Sequence, residues 1–130
     1  MAAPDLLRKL GAARGDALLI PDPDLRRFAA GATIVPEGEA RDKVRGVVFR
    51  PMRREEIPRD LRRYRGRIVE DGFIWVVIPK KAAIETLGRD VTFEDVLDVA
   101  LRTDFVDNKT LTFSDMEYGV RLVLRKHLRR

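Results

Sequence analysis

The sequence predicts an α+β domain in which a small, mainly antiparallel sheet of three or four strands packs against helices. Three stretches lead to this fold class: an apolar run over residues 65–79, a strand-like run over residues 43–52, and a last third with two helical patterns. At 130 residues the chain is long enough to bury one core, so we expect a single domain that spans residues 1–130.

The longest apolar run predicts a β-hairpin. Ile68–Glu70 and Phe73–Ile78 are rich in β-branched and aromatic residues, and Asp71 and Gly72 lie between them. Asp-Gly pairs supply the positive φ angles that a tight two-residue turn needs. Both faces of this hairpin would be apolar, so each face must be covered. We expect the face that carries Trp75 to meet either more of the core or a ligand.

Other elements are expected on both sides of the hairpin. Pro4–Ala13 has the pattern of a short helix, and Lys43–Met52 has the composition of a strand. In the last third, Thr92 and Thr112 each precede an acid by three residues, which is typical of a capping box. We therefore expect two C-terminal helices, the first ending near Arg102 and the second running to the end of the chain.

Positive charge is concentrated in one segment. From Arg41 to Arg67 there are ten Arg and one Lys against four acids, a net charge of +7, whereas the whole chain carries +5. Ion pairs within the fold, as in heat-stable proteins, are one interpretation of this segment. A surface for nucleic acid is the other. Because seven of the charges have no local acid, we favour nucleic acid.

The composition excludes several kinds of catalytic site. The chain has no cysteine, so disulfides and thiolate metal sites are excluded. The only histidine, His127, lies thirteen residues from Ser114, too far along one helix for a Ser–His pair. Asp107–Lys109 matches a magnesium nuclease only weakly, and no Walker-type or GxGxxG loop is present. We therefore expect no enzyme, no cofactor and no metal site.

The sequence also suggests a location and a source. No apolar run approaches ~20 residues and no signal peptide pattern opens the chain, so we expect a cytoplasmic protein without a membrane partner. Arg outnumbers Lys by 20 to 6 and Gln is absent, which suggests a thermophile. A genome rich in G and C would also favour Arg.

If the ligand is nucleic acid, a single strand fits better than a duplex. The basic segment is predicted to form strand, loop and hairpin, not a long recognition helix. Guanidinium groups would contact phosphates, and aromatic rings would stack on bases, although a place in the core is the alternative for each ring. The candidate binding residues are Arg45, Phe49, Arg50, Arg53, Arg54, Arg62, Arg63, Tyr64, Arg65, Arg67, Phe73 and Trp75.

These features together resemble the ThermoDBP family of single-stranded DNA-binding proteins from thermophilic archaea. The resemblance rests on the aromatic stretch GRIVEDGFIWVVIP and on the closing segments VTFEDVLDVALR and TFSDMEYGVRLVLRK. It implies a cleft with an apolar floor and basic edges that holds the strand. The founding type also has a long C-terminal zipper. This chain stops within its last predicted helix, so a zipper dimer is not expected, and another homodimer stays open.

The predicted function is binding of single-stranded DNA with little sequence preference. An RNA-binding or ribonucleoprotein module is an alternative, because nothing in the sequence discriminates against a 2′-hydroxyl. A protein–protein adaptor that uses the aromatic face is a second alternative. Salt dependence separates these classes, since binding to nucleic acid weakens steeply with salt.

Overall fold

The computed structural model describes residues 3–38 and 43–125. In these ranges there are four α-helices, two 3₁₀ helices and six strands. The helices are α1 (Ala3–Leu10), α2 (Glu56–Arg65), α3 (Ile84–Leu87) and α4 (Phe93–Leu101), with 3₁₀ helices at Pro23–Ala29 and Lys81–Ala83. The strands are β1 (Ala17–Leu19), β2 (Thr33–Ile34), β3 (Val44–Phe49), β4 (Ile68–Pro79), β5 (Phe105–Thr112) and β6 (Glu117–Leu124).

The six strands form one mixed sheet in the order β2-β1-β3-β4-β6-β5. The first four are mutually parallel, β6 runs antiparallel to β4, and β5 runs antiparallel to β6. The prediction of a small, mainly antiparallel sheet is therefore wrong. The physical reason is that α2 lies between β3 and β4 and carries the chain back across the sheet. β4 therefore starts at the same edge as β3, and the two strands are parallel.

The predicted hairpin at Asp71-Gly72 is absent, because β4 is one continuous strand of 12 residues. An irregularity replaces the turn: Val44 pairs with Ile68, and the next paired residue of β3, Gly46, already faces Phe73. Gly72 has no positive φ. Instead, a Cβ on Gly72 would lie 2.5 Å from the carbonyl oxygen of Arg45, so the glycine allows close approach of two backbones.

Of the two predicted C-terminal helices, the first is present as α4. The prediction of the second is wrong, because the chain forms a strand there. Thr92 and Asp95 form the capping box of α4: the backbone N–H of Asp95 donates to the Thr92 hydroxyl at 3.2 Å, and the backbone N–H of Thr92 donates to the Asp95 carboxylate at 3.0 Å. Thr112 instead ends β5, and the chain returns as β6. The alternation of Val120, Leu122 and Leu124 towards one core is the period of a strand. His127 lies outside the described residues.

The sheet has a buried core on each face, which explains why residues 73–79 of β4 are all apolar, whereas Glu70 and Asp71 before them are exposed. The side chains of Ile74, Val76 and Ile78 lie in the core that includes residues of α2 and α4. The alternate residues Trp75 and Val77 lie in the other core, which includes residues of α1 and the first 3₁₀ helix. Both faces of β4 are therefore covered by other parts of the chain.

Candidate functional site

The carboxyl ends of the parallel strands form the edge of the sheet at which a ligand site is expected. In open α/β sheets, ligands bind outside these ends, at the point where the strand order reverses. Here the chain places β2 on one side of β1 and β3 on the other, so the reversal falls between β1 and β3. The segments that follow these two strands start at Ile20 and Arg50.

Charged side chains connect these two segments. The backbone N–H of Arg50 donates to Asp22 Oδ2 at 3.1 Å. The Arg50 guanidinium donates two bonds to the Asp24 carboxylate, at 3.0 and 2.8 Å. It also donates two bonds to Glu117, the first residue of β6, at 2.7 and 2.8 Å. The chain after β3 is thus held to the chain after β1 at the reversal point.

Arg89 extends this arrangement to β4. Its side chain is only 4% exposed, and it donates to the Glu117 carboxylate. Its Nη2 also donates to the carbonyl oxygens of Pro51 and Val77, at 2.8 and 3.0 Å. Arg89 therefore joins the ends of β3, β4 and β6. We call the five residues Asp22, Asp24, Arg50, Arg89 and Glu117 the ion network.

The pKa directions within the network reflect both its ion pairs and its burial. Hydrogen bonds to Arg50 lower the pKa of Asp24. Burial alone would raise the pKa of Glu117, but the bonds and charges of Arg50 and Arg89 outweigh it and lower that pKa. Burial dominates at Asp22 and raises its pKa. Burial also lowers the pKa of Arg89, despite its bond to Glu117. The charged side chains of this network thus pair with one another.

A small pocket lies next to the ion network, at the carboxyl end of β4. It has a volume of about 180 Å³, and its apolar walls come from Pro79, Ile84 and Phe93. Lys81 and Glu94 also line it, and within the described part of the chain neither forms an ion pair. We call this cavity the β4 pocket; its full lining is Pro79, Lys81, Ile84, Thr92, Phe93, Glu94 and Tyr118.

Two further polar groups of the β4 pocket are held in place by the fold. Thr92 is the N-cap of α4, and its hydroxyl accepts a hydrogen bond from the Asp95 backbone. Tyr118 lies on β6, paired with Ile78. Burial, and then the charge of Glu94, raise the pKa of Tyr118. Its hydroxyl therefore keeps its proton at neutral pH and can donate a hydrogen bond.

A larger cavity of about 390 Å³ lies between α2 and α4, away from the carboxyl ends of the strands. We call it the helix groove. Apolar side chains and arginines share its lining, and none of its residues belongs to the β4 pocket. Among the described residues, no group of three His, Cys, Asp or Glu side chains could hold a metal ion.

The aromatic residues of the predicted cleft lie in the cores. Phe49, Tyr64, Phe73 and Trp75 are each at most 3% exposed. The indole Nε1 of Trp75 donates to the carbonyl oxygen of Leu10 at 2.8 Å, which satisfies its only donor. No open ring face is left on these four residues for a base to stack on.

The predicted arginines do not form one surface. Arg45 lies near the start of β3 and pairs with Asp71 at 3.0 Å, whereas Arg50 follows its end. Five residues of strand separate these two by roughly 16 Å. Arg53 and Arg54 are exposed in the connection to α2, and of these two only Arg54 forms an ion pair with a described residue, Glu55 at 3.9 Å.

The remaining predicted arginines belong to α2 and the start of β4. Arg63 pairs with Glu37 at 2.9 Å, and its guanidinium lies 4.8 Å from the centroid of the Tyr64 ring. Arg65 pairs with Asp104 at 2.6 Å. Arg67 donates to the carbonyl oxygen of Glu37, and Arg62 lines the helix groove. The fold distributes the basic segment over both strand ends and one helix.

Sequence reasoning missed the residues of the ion network other than Arg50, and all of the β4 pocket. One signal was available for the pocket. Lys80 and Lys81 directly follow the apolar run that becomes β4, which is where an α/β fold places binding groups. No local signal joins Asp22, Arg89 and Glu117, since they are far apart in sequence. Within the described ranges, no helix has the length and apolar content needed to cross a bilayer.

Comparison with known proteins gives a fold but no family. No family model and no curated protein match the sequence. N-methyltransferase NodS from Bradyrhizobium japonicum WM9 is a structural neighbour with a TM-score of 0.60 and 9% identity, over 94% of this chain and 93% of that one. Mitomycin 7-O-methyltransferase MmcR gives a TM-score of 0.60 at 10% identity, over 95% of this chain and 54% of that one.

LepI in complex with SAM is another neighbour, with a TM-score of 0.59 and 14% identity over 95% of this chain. The chain spans about 40% of the length of LepI.

These comparisons overturn several predictions made from the sequence. The neighbours described above are methyltransferases and LepI, not single-stranded DNA-binding proteins, so the resemblance to the ThermoDBP family is wrong. Single-stranded DNA as the partner is wrong for the same reason. The expectation that the chain is no enzyme is also overturned, since its fold is one that enzymes use. Identities of 8% to 14% carry the fold alone, and that fold is the α/β fold of methyltransferases.

Proposed function

We propose that this chain acts on a small zwitterionic molecule with an apolar body, bound in the β4 pocket. One observation carries the proposal: Lys81 and Glu94, which have opposite charges, line an apolar pocket at the carboxyl end of a central parallel strand. Ligand sites typically combine apolar walls with a few convergent polar groups. A cytoplasmic location belongs to the same proposal, and fractionation of the native cells would test it.

The charges of the pocket suit a zwitterion better than a simple anion or cation. The ammonium of Lys81 would pair with a ligand carboxylate, and the carboxylate of Glu94 with a ligand ammonium group. Thr92 and Tyr118 add hydroxyl groups that can donate or accept. The apolar body of the ligand would lie against Ile84 and Phe93. An α-amino acid with an aliphatic side chain has all of these features.

The fold favours methyl transfer as a second candidate, because LepI was solved in complex with SAM (S-adenosylmethionine) and other neighbours are methyltransferases. When bound, this cofactor would supply the methyl group. Nucleotide ligands of such sheets occupy the reversal point, next to a glycine-rich turn after the first strand. Here residues 20–24 read IPDPD, without glycine, and Asp22 holds the backbone of Arg50 at 3.1 Å. The residues therefore do not fit the cofactor at that point.

Calorimetric titration with three related molecules tests the first candidate. L-Leucine carries both charges, 4-methylpentanoate lacks the ammonium group, and 3-methylbutylamine lacks the carboxylate. We expect leucine to bind most tightly, since each lost charged hydrogen bond costs about 1.5–3 kcal/mol. Lys81→Ala should weaken the binding of leucine and 4-methylpentanoate and leave the binding of 3-methylbutylamine unchanged. Glu94→Gln should weaken the binding of leucine and 3-methylbutylamine and leave the binding of 4-methylpentanoate unchanged.

Lys80→Ala is the matched control, because Lys80 carries the same charge one residue away and does not line the pocket. Equal binding of the three molecules, or equal losses in the Lys80 and Lys81 variants, would contradict the proposal. SAM titrated into the same protein tests the second candidate. Saturable binding of SAM that Lys81→Ala leaves intact would place the active site at the reversal point instead.

A further inference from the structure

We propose that the helix groove is a second binding site, which takes a carboxylate with a single aliphatic chain. The groove lies between α2 and α4 and has a volume of about 390 Å³. Pockets for drug-sized ligands usually measure about 300–1,000 Å³, so the groove can take a longer ligand than the β4 pocket, whose volume is about 180 Å³. It shares no lining residue with the β4 pocket, so this inference stands independently of the proposed function.

The floor and walls of the helix groove are apolar. Leu61 and Phe105 are each 1% exposed, so the inner surface of the groove is part of the packed core. Pro58 and Val99 add apolar atoms from α2 and α4. An aliphatic chain placed there would remove apolar surface from water, at roughly 25 cal/mol per Å². Thr103 also lines the groove, but its hydroxyl already donates to the carbonyl oxygen of Ala100 and accepts from the backbone N–H of Phe105.

The rim of the helix groove carries charge, and most of that charge is already neutralised. Arg65 pairs with Asp104 through bonds of 2.6 and 2.7 Å. Arg102 pairs with Asp98 at 3.3 Å. Arg62 also lines the groove, and it forms no ion pair or side-chain hydrogen bond within residues 3–38 and 43–125. The rim therefore offers one uncommitted guanidinium beside an apolar cavity.

The chemistry of Arg62 selects the class of ligand. A guanidinium presents paired N–H donors that match the two oxygens of a carboxylate. A dianionic phosphate would leave charge unmatched, because the other two arginines of the rim are held by acids. A carboxylate at Arg62 with its chain along Leu61 and Phe105 satisfies both the charge and the apolar floor.

Isothermal titration of the full chain with decanoate, kept below its micelle concentration, tests this inference. We expect saturable binding at one site, and decanol, which lacks the charge, should bind at least about 10-fold more weakly. Arg62→Gln should weaken decanoate binding about 10-fold or more and leave decanol binding unchanged. Leucine binding to the β4 pocket should not change in this variant.

Two further variants make the outcome decisive. Arg53→Gln is the matched control, since Arg53 is an exposed arginine that forms no ion pair among the described residues and does not line the groove. Val99→Trp should fill the groove and abolish the binding of both decanoate and decanol. Melting curves show whether each variant is folded. Equal losses in the two arginine variants, binding that survives Val99→Trp in a folded protein, or no decanoate binding at all would overturn the inference.

Discussion

Two neighbouring regions at the carboxyl ends of the strands differ in how their charges are used. In the ion network, Arg50 and Arg89 share Glu117, and Arg50 also holds Asp24. In the β4 pocket, Lys81 and Glu94 have no ion-pair partner within the described residues. Charges that are paired inside the fold support its structure, whereas unpaired charges in a cavity can bind a ligand. This difference is the reason why we propose the β4 pocket, and not the ion network, as the binding site.

The largest expected effect comes from removing the shared acid of the ion network. Glu117→Gln would leave Arg89, which is 4% exposed, without its counter-charge. Removing one partner of a buried pair typically costs about 3–5 kcal/mol. Urea unfolding should therefore show a loss of this order. Asp115→Asn is the control, since Asp115 is exposed two residues away, and an equal loss there would show that the network adds no stability.

A smaller effect is expected from pH. Folding lowers the pKa of Asp24 and Glu117 from ordinary values of 3.8 and 4.5, so their contribution is complete above those values and is lost as pH falls. Folding raises the pKa of Asp22, so its contribution has the opposite sign and becomes more favourable as pH falls. Stability measured by urea unfolding should decline from about pH 5 downward.

Asp22→Asn separates the two contributions to this pH dependence. The variant lacks the group that opposes the decline, so its stability should fall more steeply with acid than that of the parent. A parallel or shallower fall in the variant would show that the raised pKa of Asp22 does not contribute to folding.

The sequence predicted local structure better than topology. The capping box of Thr92 depends on neighbouring residues, and it is present as expected. Asp71-Gly72 has the composition of a turn, but its role is set by Arg45, whose backbone comes within 2.5 Å of where a Cβ on Gly72 would lie. That contact joins residues far apart in sequence, so no local pattern could reveal it. The parallel pairing of β3 with β4 was missed for the same reason.

The candidate site was harder to predict than the fold. Charge density drew attention to the arginines, yet four of the eight candidate arginines pair with acids that lie far away in sequence, among them Glu37 and Asp104. The sequence predicts the rings as ligand contacts because they lie beside these arginines, with a place in the core as the alternative. In a strand buried on both faces, however, alternate side chains such as Trp75 simply fill opposite cores. Uncommitted charges can be recognised only after the partners of all the others are known.

The smallest effect is expected at the β4 pocket. Lys81→Ala removes an exposed charge that has no ion-pair partner among the described residues, so the free energy of unfolding should change by no more than about 0.5 kcal/mol. Lys80→Ala should change the free energy of unfolding by a similarly small amount. A loss above about 1 kcal/mol for Lys81→Ala alone would show that this lysine is committed to the fold, like the ion network.

Backbone NMR spectra recorded during a leucine titration test the central claim most directly. Each amide reports on its own surroundings, so the spectra distinguish the two regions in one experiment. We predict that shifts concentrate at Lys81 and at Thr92–Glu94, while the amides of Asp22, Asp24 and Arg50 stay in place. Shifts confined to those last three amides, with the β4 pocket unchanged, would contradict the account, because the ligand would then bind where the charges are already paired.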